Sequence, residues 1–331
     1  MSAISDQSFE RAVAPGFVLS PLSDYLLILA PFWLGAFYLA AVNLVPSARP
    51  IVFFVFLALL GETHFGATGL FLTARENRAW IWRNRRLLVY APLALVGAFA
   101  SIGIWDLRLA LLVGSIASGI HVARQSIGVS RLYGSPRNGL NEFSIYGASA
   151  GFLGVGFARF YAPALPLPPT VLEMIVVLTP LAEAALLLGI GVCLFLVGDR
   201  SGYDRRFFAA LTGCAIYAPY CFVSDPRDAI AIGVAMHWCQ YLALNAAVYG
   251  RWAIATGGMK RLALAPVVII AYGVAMATIH PLSPVHLSTA KILVLLPLCG
   301  EFVHYYIDAF IWRFSDPHIR KSVGAYIWNR R

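Results

Sequence analysis

Long apolar runs separated by short polar connections extend over most of the chain. About ten of them approach or exceed the roughly 17 to 25 residues that a membrane-spanning helix needs. They cover residues 22–44, 50–74, 87–105, 108–133, 141–162, 171–198, 206–223, 229–250, 262–280 and 288–312. Polar residues and glycines make the run at 141–162 the weakest. The pattern predicts an all-α, polytopic integral membrane protein with about ten transmembrane helices (eight to ten) in a single helical bundle.

Composition supports a membrane environment and narrows the choice of partners. Of the 331 residues, 60% are hydrophobic and 12% are charged, and the mean hydropathy is +0.73. A soluble domain has about 25% charged residues. The net charge of +9 would suit a nucleic-acid-binding protein, but the basic residues form short clusters between apolar runs rather than one stripe. We therefore expect membrane lipids, and no nucleic acid, as partners.

The basic residues also predict an orientation. Cytoplasmic loops of membrane proteins are enriched in Lys and Arg, and most of the 25 basic residues fall in every second connection. This places both termini in the cytoplasm of a multi-pass protein of the cell (inner) membrane. We expect a cytoplasmic N-terminal segment at 1–21, a transmembrane bundle at 22–313 and an interfacial tail at 314–331, where Asp316 and Pro317 predict the start of a short helix.

Polar side chains are concentrated near the middle of the even-numbered runs, whereas the odd-numbered runs carry no histidine there. The even-numbered runs all cross the membrane in the same direction, so equal offsets correspond to equal depth. Ionisable residues within membranes are rare and mark substrate paths, proton relays or cofactor sites. The pattern therefore predicts a site at the bilayer midplane. Its candidate residues are Glu62, His64, His121, Arg124, Gln125, Glu183, His237, Gln240, Glu301, His304 and Asp308.

Spacing indicates which of these residues can act together. Glu301 and His304 are three residues apart and share a helical face, which Asp308 continues. Such a pair can bind metal, as in the helical di-iron carboxylate proteins. Glu62 and His64 are two residues apart, about 200° around a regular helix, so only a local distortion would let both face one centre.

Imidazole and carboxylate ligands without a thiolate favour iron, manganese or zinc over copper(I) or an iron–sulfur cluster. We therefore expect a non-haem iron oxidoreductase with one or two iron ions, acting on a lipid or other hydrophobic small molecule by hydroxylation, desaturation or oxidative cleavage, with an external electron donor. The expected metal ligands are His64, His121, Glu183, His237, Glu301 and His304. The expected catalytic residues are Glu62, Arg124, Gln240 and Asp308.

Three alternatives remain open. The chain lacks the HxxxH and HxxHH boxes of membrane fatty-acid desaturases and hydroxylases, whereas its single histidines on alternate helices resemble those of haem A synthases, which implies a haem-binding protein. Midplane ionisable groups also suit an ion- or proton-coupled transporter. A zinc-dependent membrane hydrolase would use the same ligand types. His280, His286 and His318 are expected at the surface, with no role in the site.

Overall fold

The computed structural model describes residues 16–165, 167–284 and 291–327, and every regular element in these ranges is helical. The all-α prediction is therefore confirmed for the described residues. Most of the N-terminal segment, His286 and the last four residues lie outside them. The main helices are α1 Pro21–Leu29, α2 Trp33–Leu44, α3 Pro46–Thr73, α4 Arg75–Arg83, α5 Arg86–Trp105, α6 Leu107–Leu132, α7 Leu140–Gly156, α8 Pro169–Ser201, α9 Arg205–Ala215, α10 Ala235–Ala255, α11 Met259–Ile279, α12 Lys291–Ile311 and α13 Pro317–Ser322, with shorter helical segments at Phe157–Tyr161, Ala162–Ala164, Ala218–Cys221, Pro226–Ala229, Ile230–Val234 and Gly324–Tyr326.

Six helices in the described ranges are long and apolar enough to cross a membrane: α3, α5, α6, α8, α11 and α12. The pair α1 and α2, bent by 61°, becomes a seventh if it forms one span. A count of ten is not confirmed. The fifth, seventh and eighth predicted runs correspond to α7, α9 and α10, which are helical but do not meet the same test. The reasons are visible for two of them, since α9 has 11 residues and α10 carries several polar side chains.

Helix α10 occupies the interior of the bundle. It contains more buried residues than any other described helix. It packs against α1, α2, α3 and α11, and its Tyr241 hydrogen-bonds to Asp308 of α12. Helix α8 is the opposite case, because only 11% of its most apolar window is buried. Hydropathy therefore identifies the outer helices more clearly than the inner one, whose neighbours are protein side chains rather than lipid.

Helix α3 is irregular where it carries its polar residues. It winds as a π-turn over Leu57–Glu62, as an α-turn over Thr63–Ala67 and as a 3₁₀-helix over Thr68–Thr73. The Thr63 hydroxyl donates to the Ala58 carbonyl at 2.7 Å, which satisfies a backbone acceptor inside the widened turn. The change of winding falls between Glu62 and His64, where the sequence required a distortion.

The widened turn of α3 packs against α11 at Gly273. A Cβ atom at this position would lie 2.3 Å from the Ala58 carbonyl oxygen and 2.3 Å from the Thr63 hydroxyl oxygen. Only glycine permits this approach, because real Cβ contacts are never so short. The contact holds the segment with Glu62 and His64 against the bundle.

The C-terminal tail folds back onto α4. Asp316 accepts from the backbone N–H groups of His318 and Ile319 and so caps α13, as the sequence predicted. The His318 ring stacks on Trp80, with centroids 5.2 Å apart, and its Nε2 lies 2.9 Å from the Asn77 side-chain oxygen. His318 is thus half-buried rather than free at the surface, and this burial lowers its pKa.

We expect Gly273→Ala to destabilise the protein by about 1–3 kcal/mol, since the added methyl group forces α11 away from α3. Thermal unfolding in detergent would measure the loss. Gly97→Ala on α5 is the matched control, because its added Cβ meets no atom within 4 Å. A melting temperature of Gly273→Ala equal to that of Gly97→Ala would contradict the proposed close approach.

Candidate metal centre

Four buried histidines from four helices meet inside the bundle. They are His64 on α3, His121 on α6, His237 on α10 and His304 on α12. Ring centroids are 4.4 Å apart for His64 and His304, 4.7 Å for His121 and His304, and 5.0 Å for His64 and His237. We call this group the histidine cluster.

The ring nitrogens of the cluster have a spacing that suits a metal ion. The Nε2 atoms of His121 and His304 are 3.1 Å apart, and one nitrogen from each of His64, His121 and His304 lies within 4.8 Å of the others. Two nitrogens bound to one ion at about 2.0–2.2 Å are separated by roughly 2.8–3.6 Å, from right-angled to tetrahedral coordination. The observed separation falls in that range, which a hydrogen bond between the two rings also satisfies.

A chain of hydrogen bonds fixes the orientation of the His304 ring. Gln125 and the Tyr241 hydroxyl both donate to the Asp308 carboxylate, at 2.5 and 2.6 Å. The Thr68 hydroxyl lies 2.9 Å from the Tyr241 oxygen and 2.6 Å from His304 Nδ1. Three helices other than α12 therefore hold this ring.

The direction of these bonds determines the tautomer of His304. When Asp308 is ionised, its carboxylate only accepts, so the Tyr241 hydroxyl donates to Asp308 and the Tyr241 oxygen accepts from Thr68. The Thr68 oxygen then accepts from His304 Nδ1–H. The lone pair of His304 is consequently on Nε2, which faces His121. A hydrogen bond on the far nitrogen is the usual arrangement for a histidine that binds metal.

Several nitrogens of the cluster have no hydrogen-bond partner among the described residues. They are both ring nitrogens of His64 and Nε2 of His237, all of which are buried. Buried polar groups in native proteins nearly always have a partner. Each neutral imidazole has a lone pair on one of its two nitrogens. A cation bound between the rings would satisfy one lone pair of His64 and one of His237 together.

Aromatic side chains enclose the cluster. The ring centroid of Phe65 lies 5.2 Å from that of His304, and the centroid of Tyr305 lies 4.7 Å from that of His121. The Tyr241 centroid lies 4.5 Å from that of His64. These contacts exclude water and keep the local dielectric low. Electrostatic interactions of a bound ion are therefore strong there.

A second group of potential ligands consists of Glu62, His280 and Glu301, which we call the carboxylate cluster. His280 Nε2 lies 3.0 Å from Glu301 Oε1 and 3.8 Å from Glu62 Oε1. The prediction that His280 lies at the surface is wrong, because its residue exposure is 3%. Glu301 and His304 share a helix face, yet they belong to different groups.

Three other predicted site residues lie elsewhere. The Glu183 carboxylate is 3.5 Å from Arg159, and neither cluster includes it. The Gln240 side chain donates to the Ile28 carbonyl at 2.5 Å and so joins α10 to α1. Arg124 is exposed on the outside of α6. Asp308 is next to the cluster rather than in it, with its Oδ1 3.9 Å from His304 Nδ1.

The helices that build the site run in the same direction. Along α3, Glu62 groups with Glu301 of α12, and the later residues His64 and Thr68 both contact His304, which comes later on α12. Helix α6 matches this order, since His121 contacts His304 and Gln125 contacts Asp308. Helix α10 does so too, because His237 lies against His64 and Tyr241 against Asp308.

Sequence reasoning missed His280 and Thr68. His280 directly follows α11, and only the folding of the 280–284 turn against α12 brings it to Glu301. Thr68 is a common residue in an apolar run. Its spacing of four from His64 was the available signal, since residues four apart share one helix face.

Comparisons of the chain with known protein families, curated proteins and solved structures find no match. Function is therefore inferred from the residues and their geometry alone.

We expect Thr68→Val to weaken metal binding by about 10- to 100-fold, because valine keeps the shape but removes the acceptor of His304 Nδ1–H. Competition with a chelating dye would measure the affinity. Thr179→Val is the matched control, since the Thr179 hydroxyl donates only to the Ile175 carbonyl of its own helix among the bonds of the described chain. Equal affinities of the two variants would contradict the role of Thr68.

Proposed function

We propose that the protein is a membrane-embedded oxidoreductase that uses a non-haem iron ion bound by the histidine cluster. The observation that carries the proposal is the pair of Nε2 atoms of His121 and His304, 3.1 Å apart, beside the unpartnered nitrogens of His64. His64, His121 and His304 would hold the ion, and His237 adds a fourth imidazole 5.0 Å from His64.

Several features favour non-haem iron. Imidazole suits iron and zinc, and no thiolate contributes to either ligand group among the described residues. A haem held by two histidines needs their nitrogens about 4 Å apart on opposite sides of a wide planar ring. Four imidazole rings packed at 4.4 to 6.4 Å are better suited to a single ion. The dry aromatic surroundings favour apolar reactants over the metal-bound water that a hydrolase requires.

The substrate that fits this setting is a lipid or another hydrophobic small molecule. A small pocket with a cavity volume of about 40 Å³ lies one to two helical turns beyond Thr68 and Asp308. Its lining is mainly apolar and aromatic and includes Phe71, Val248, Trp252 and Ile311. The Trp312 ring on the pocket wall lies 6.0 Å from that of Tyr241, which also contacts His64. The pocket is therefore next to the cluster, with the Tyr241 ring between them.

The side chains of the protein orient the iron ligands, shield the ion from water and balance its charge. Iron bound there would supply dioxygen activation for hydroxylation, desaturation or oxidative cleavage, with electrons from an external donor. Thr68 holds the proton on His304 Nδ1 and so directs Nε2 inward. Neutral imidazoles do not balance the positive charge of a bound iron ion. The ionised Asp308 carboxylate, whose Oδ1 lies 3.9 Å from His304 Nδ1, would offset part of that charge. Phe65 and Tyr305 keep water out.

The orientation in the membrane is part of the proposal. Helices α3, α6, α10 and α12 run in the same direction, so an odd number of crossings separates each from the next. With α1 and α2 as one crossing, the total is eight or ten, depending on whether α7 and α9 cross completely. Both totals are even, which supports termini on the same side. The basic connections favour the cytoplasm for that side.

We expect His304→Ala to lower bound iron to well under half and to abolish turnover, since its Nε2 has no substitute in the cluster. Elemental analysis and an optical spectrum of the purified protein would measure this. His318→Ala is the control, because that ring contacts Trp80 and Asn77 instead. Full iron in His304→Ala would place the metal elsewhere. A Soret band in the wild type would replace the iron ion with haem, and stoichiometric zinc would favour the hydrolase.

For the orientation, we expect Ser224→Cys to react with a membrane-impermeant maleimide on intact cells and Thr256→Cys to react only after permeabilisation. Both positions are exposed: Thr256 directly follows α10, and Ser224 precedes the helical segments Pro226–Ala229 and Ile230–Val234 that lead into α10. Wild-type protein gives the background of the native cysteines. Labelling of Thr256→Cys from outside would reverse the orientation, and equal labelling of both would mean that α10 does not cross.

A further inference from the structure

The carboxylate cluster has the composition of a metal site of its own. Its three ligand atoms, from Glu62, His280 and Glu301, lie within 4.8 Å of one another. Glu62 and Glu301 precede His64 and His304 by two and three residues, so the two clusters are offset by roughly 3–5 Å along the helices. We propose that Glu62, His280 and Glu301 form a second site, separate from the histidine cluster, that binds a divalent first-row metal ion.

Glu62 provides the independent observation. Its side chain is fully buried, and neither carboxylate oxygen has a hydrogen-bond partner within the described ranges. A buried unpaired carboxylate is very unfavourable. A proton alone would neutralise the charge but would leave a hydroxyl and a carbonyl oxygen unpaired. A metal ion satisfies the charge and the lone pairs together.

The charge of the ligand set fits a divalent ion. Two carboxylates and one neutral imidazole cancel a charge of +2, which low-dielectric surroundings require. Oxygen and imidazole ligands in this ratio suit Fe²⁺, Mn²⁺ or Zn²⁺. The Tyr305 hydroxyl donates to Glu301 Oε2 at 3.3 Å and orients that carboxylate. The site needs no ion in the histidine cluster, so it is independent of the proposed oxidoreductase activity.

The protonation of His280 changes when the metal binds. The Leu282 N–H donates to His280 Nδ1 at 3.1 Å, so the neutral ring carries its proton on Nε2 and donates to Glu301 Oε1. A metal bound at Nε2 requires the other tautomer. The proton therefore moves to Nδ1, and the Leu282 N–H loses this acceptor. The hydrogen bond that is lost, from the Leu282 N–H to His280 Nδ1, lies in a half-buried turn. In exchange, the buried Glu62 carboxylate gains the metal ion as its partner.

The test is the number of Co²⁺ ions bound per chain, with purified full-length protein stripped by a chelator and then dialysed against CoCl₂. We expect two ions in the wild type and one in Glu62→Gln or His280→Gln, while His304→Ala keeps the ion of the carboxylate cluster. Glu183→Gln is the matched control and keeps two, since Glu183 pairs with Arg159. The Co²⁺ absorption spectrum should lose a different component in Glu62→Gln than in His304→Ala.

The outcomes separate this proposal from the proposed function. One ion in the wild type, lost in His304→Ala but kept in Glu62→Gln and His280→Gln, would overturn the second site and leave the histidine site intact. One ion lost only in the two carboxylate-cluster variants would support the second site and remove the histidine site. The wild-type count and His280→Gln decide the question even if Glu62→Gln does not fold.

Discussion

The site depends on the burial of groups that must have a partner. In an apolar bundle no water is available to imidazole nitrogens or carboxylate oxygens, so each needs a hydrogen bond or a metal ion. Asp308 meets this requirement through Tyr241 and Gln125, whereas Glu62 and His64 do not within the described residues. The difference is informative because all three side chains are buried to a similar degree. Among the described residues, the buried imidazole and carboxylate atoms that lack a hydrogen-bond partner all belong to the two clusters.

The irregular winding of α3 explains how one short stretch serves both clusters. On a regular helix Glu62 and His64 would diverge by about 200°. The π-turn ends at Glu62, and the Thr63 hydroxyl closes it onto Ala58. Glycine at position 273 then lets α11 approach this turn, and the same helix leads to His280. Backbone irregularity, close packing and the second ligand group are thus consequences of a single local feature, which is typical of π-turns at functional sites.

The sequence predicted the helical class and the grouping of the four histidines, because both follow from short-range patterns. The number of spans was less accessible. Hydropathy identifies helices that are exposed to lipid. Helix α10 carries polar side chains where it faces other helices, and these side chains lower its hydropathy. Glu183 illustrates a further limit, since its depth matched the other candidates while its partner, Arg159, comes from the chain segment after α7. Depth can be counted along a helix, whereas the direction in which a side chain points depends on neighbouring helices. The position of His280 next to Glu301 was not predicted for the same reason, because His280 lies in a turn and a turn has no periodic sequence pattern.

The order of groups along the parallel helices shows how the charged side chains are arranged relative to the apolar pocket. Read along α12, Glu301 in the carboxylate cluster comes first, then His304, then Asp308, and finally Ile311 at the pocket. Anionic groups therefore lie on both sides of the neutral imidazoles, an arrangement that stabilises a cation between them in low dielectric. The apolar pocket adjoins only the Asp308 side, where both carboxylate oxygens are already engaged by Tyr241 and Gln125. A hydrophobic molecule in the pocket would thus lie on the side where the carboxylate is hydrogen-bonded, while the unpartnered Glu62 carboxylate lies on the far side of the histidines.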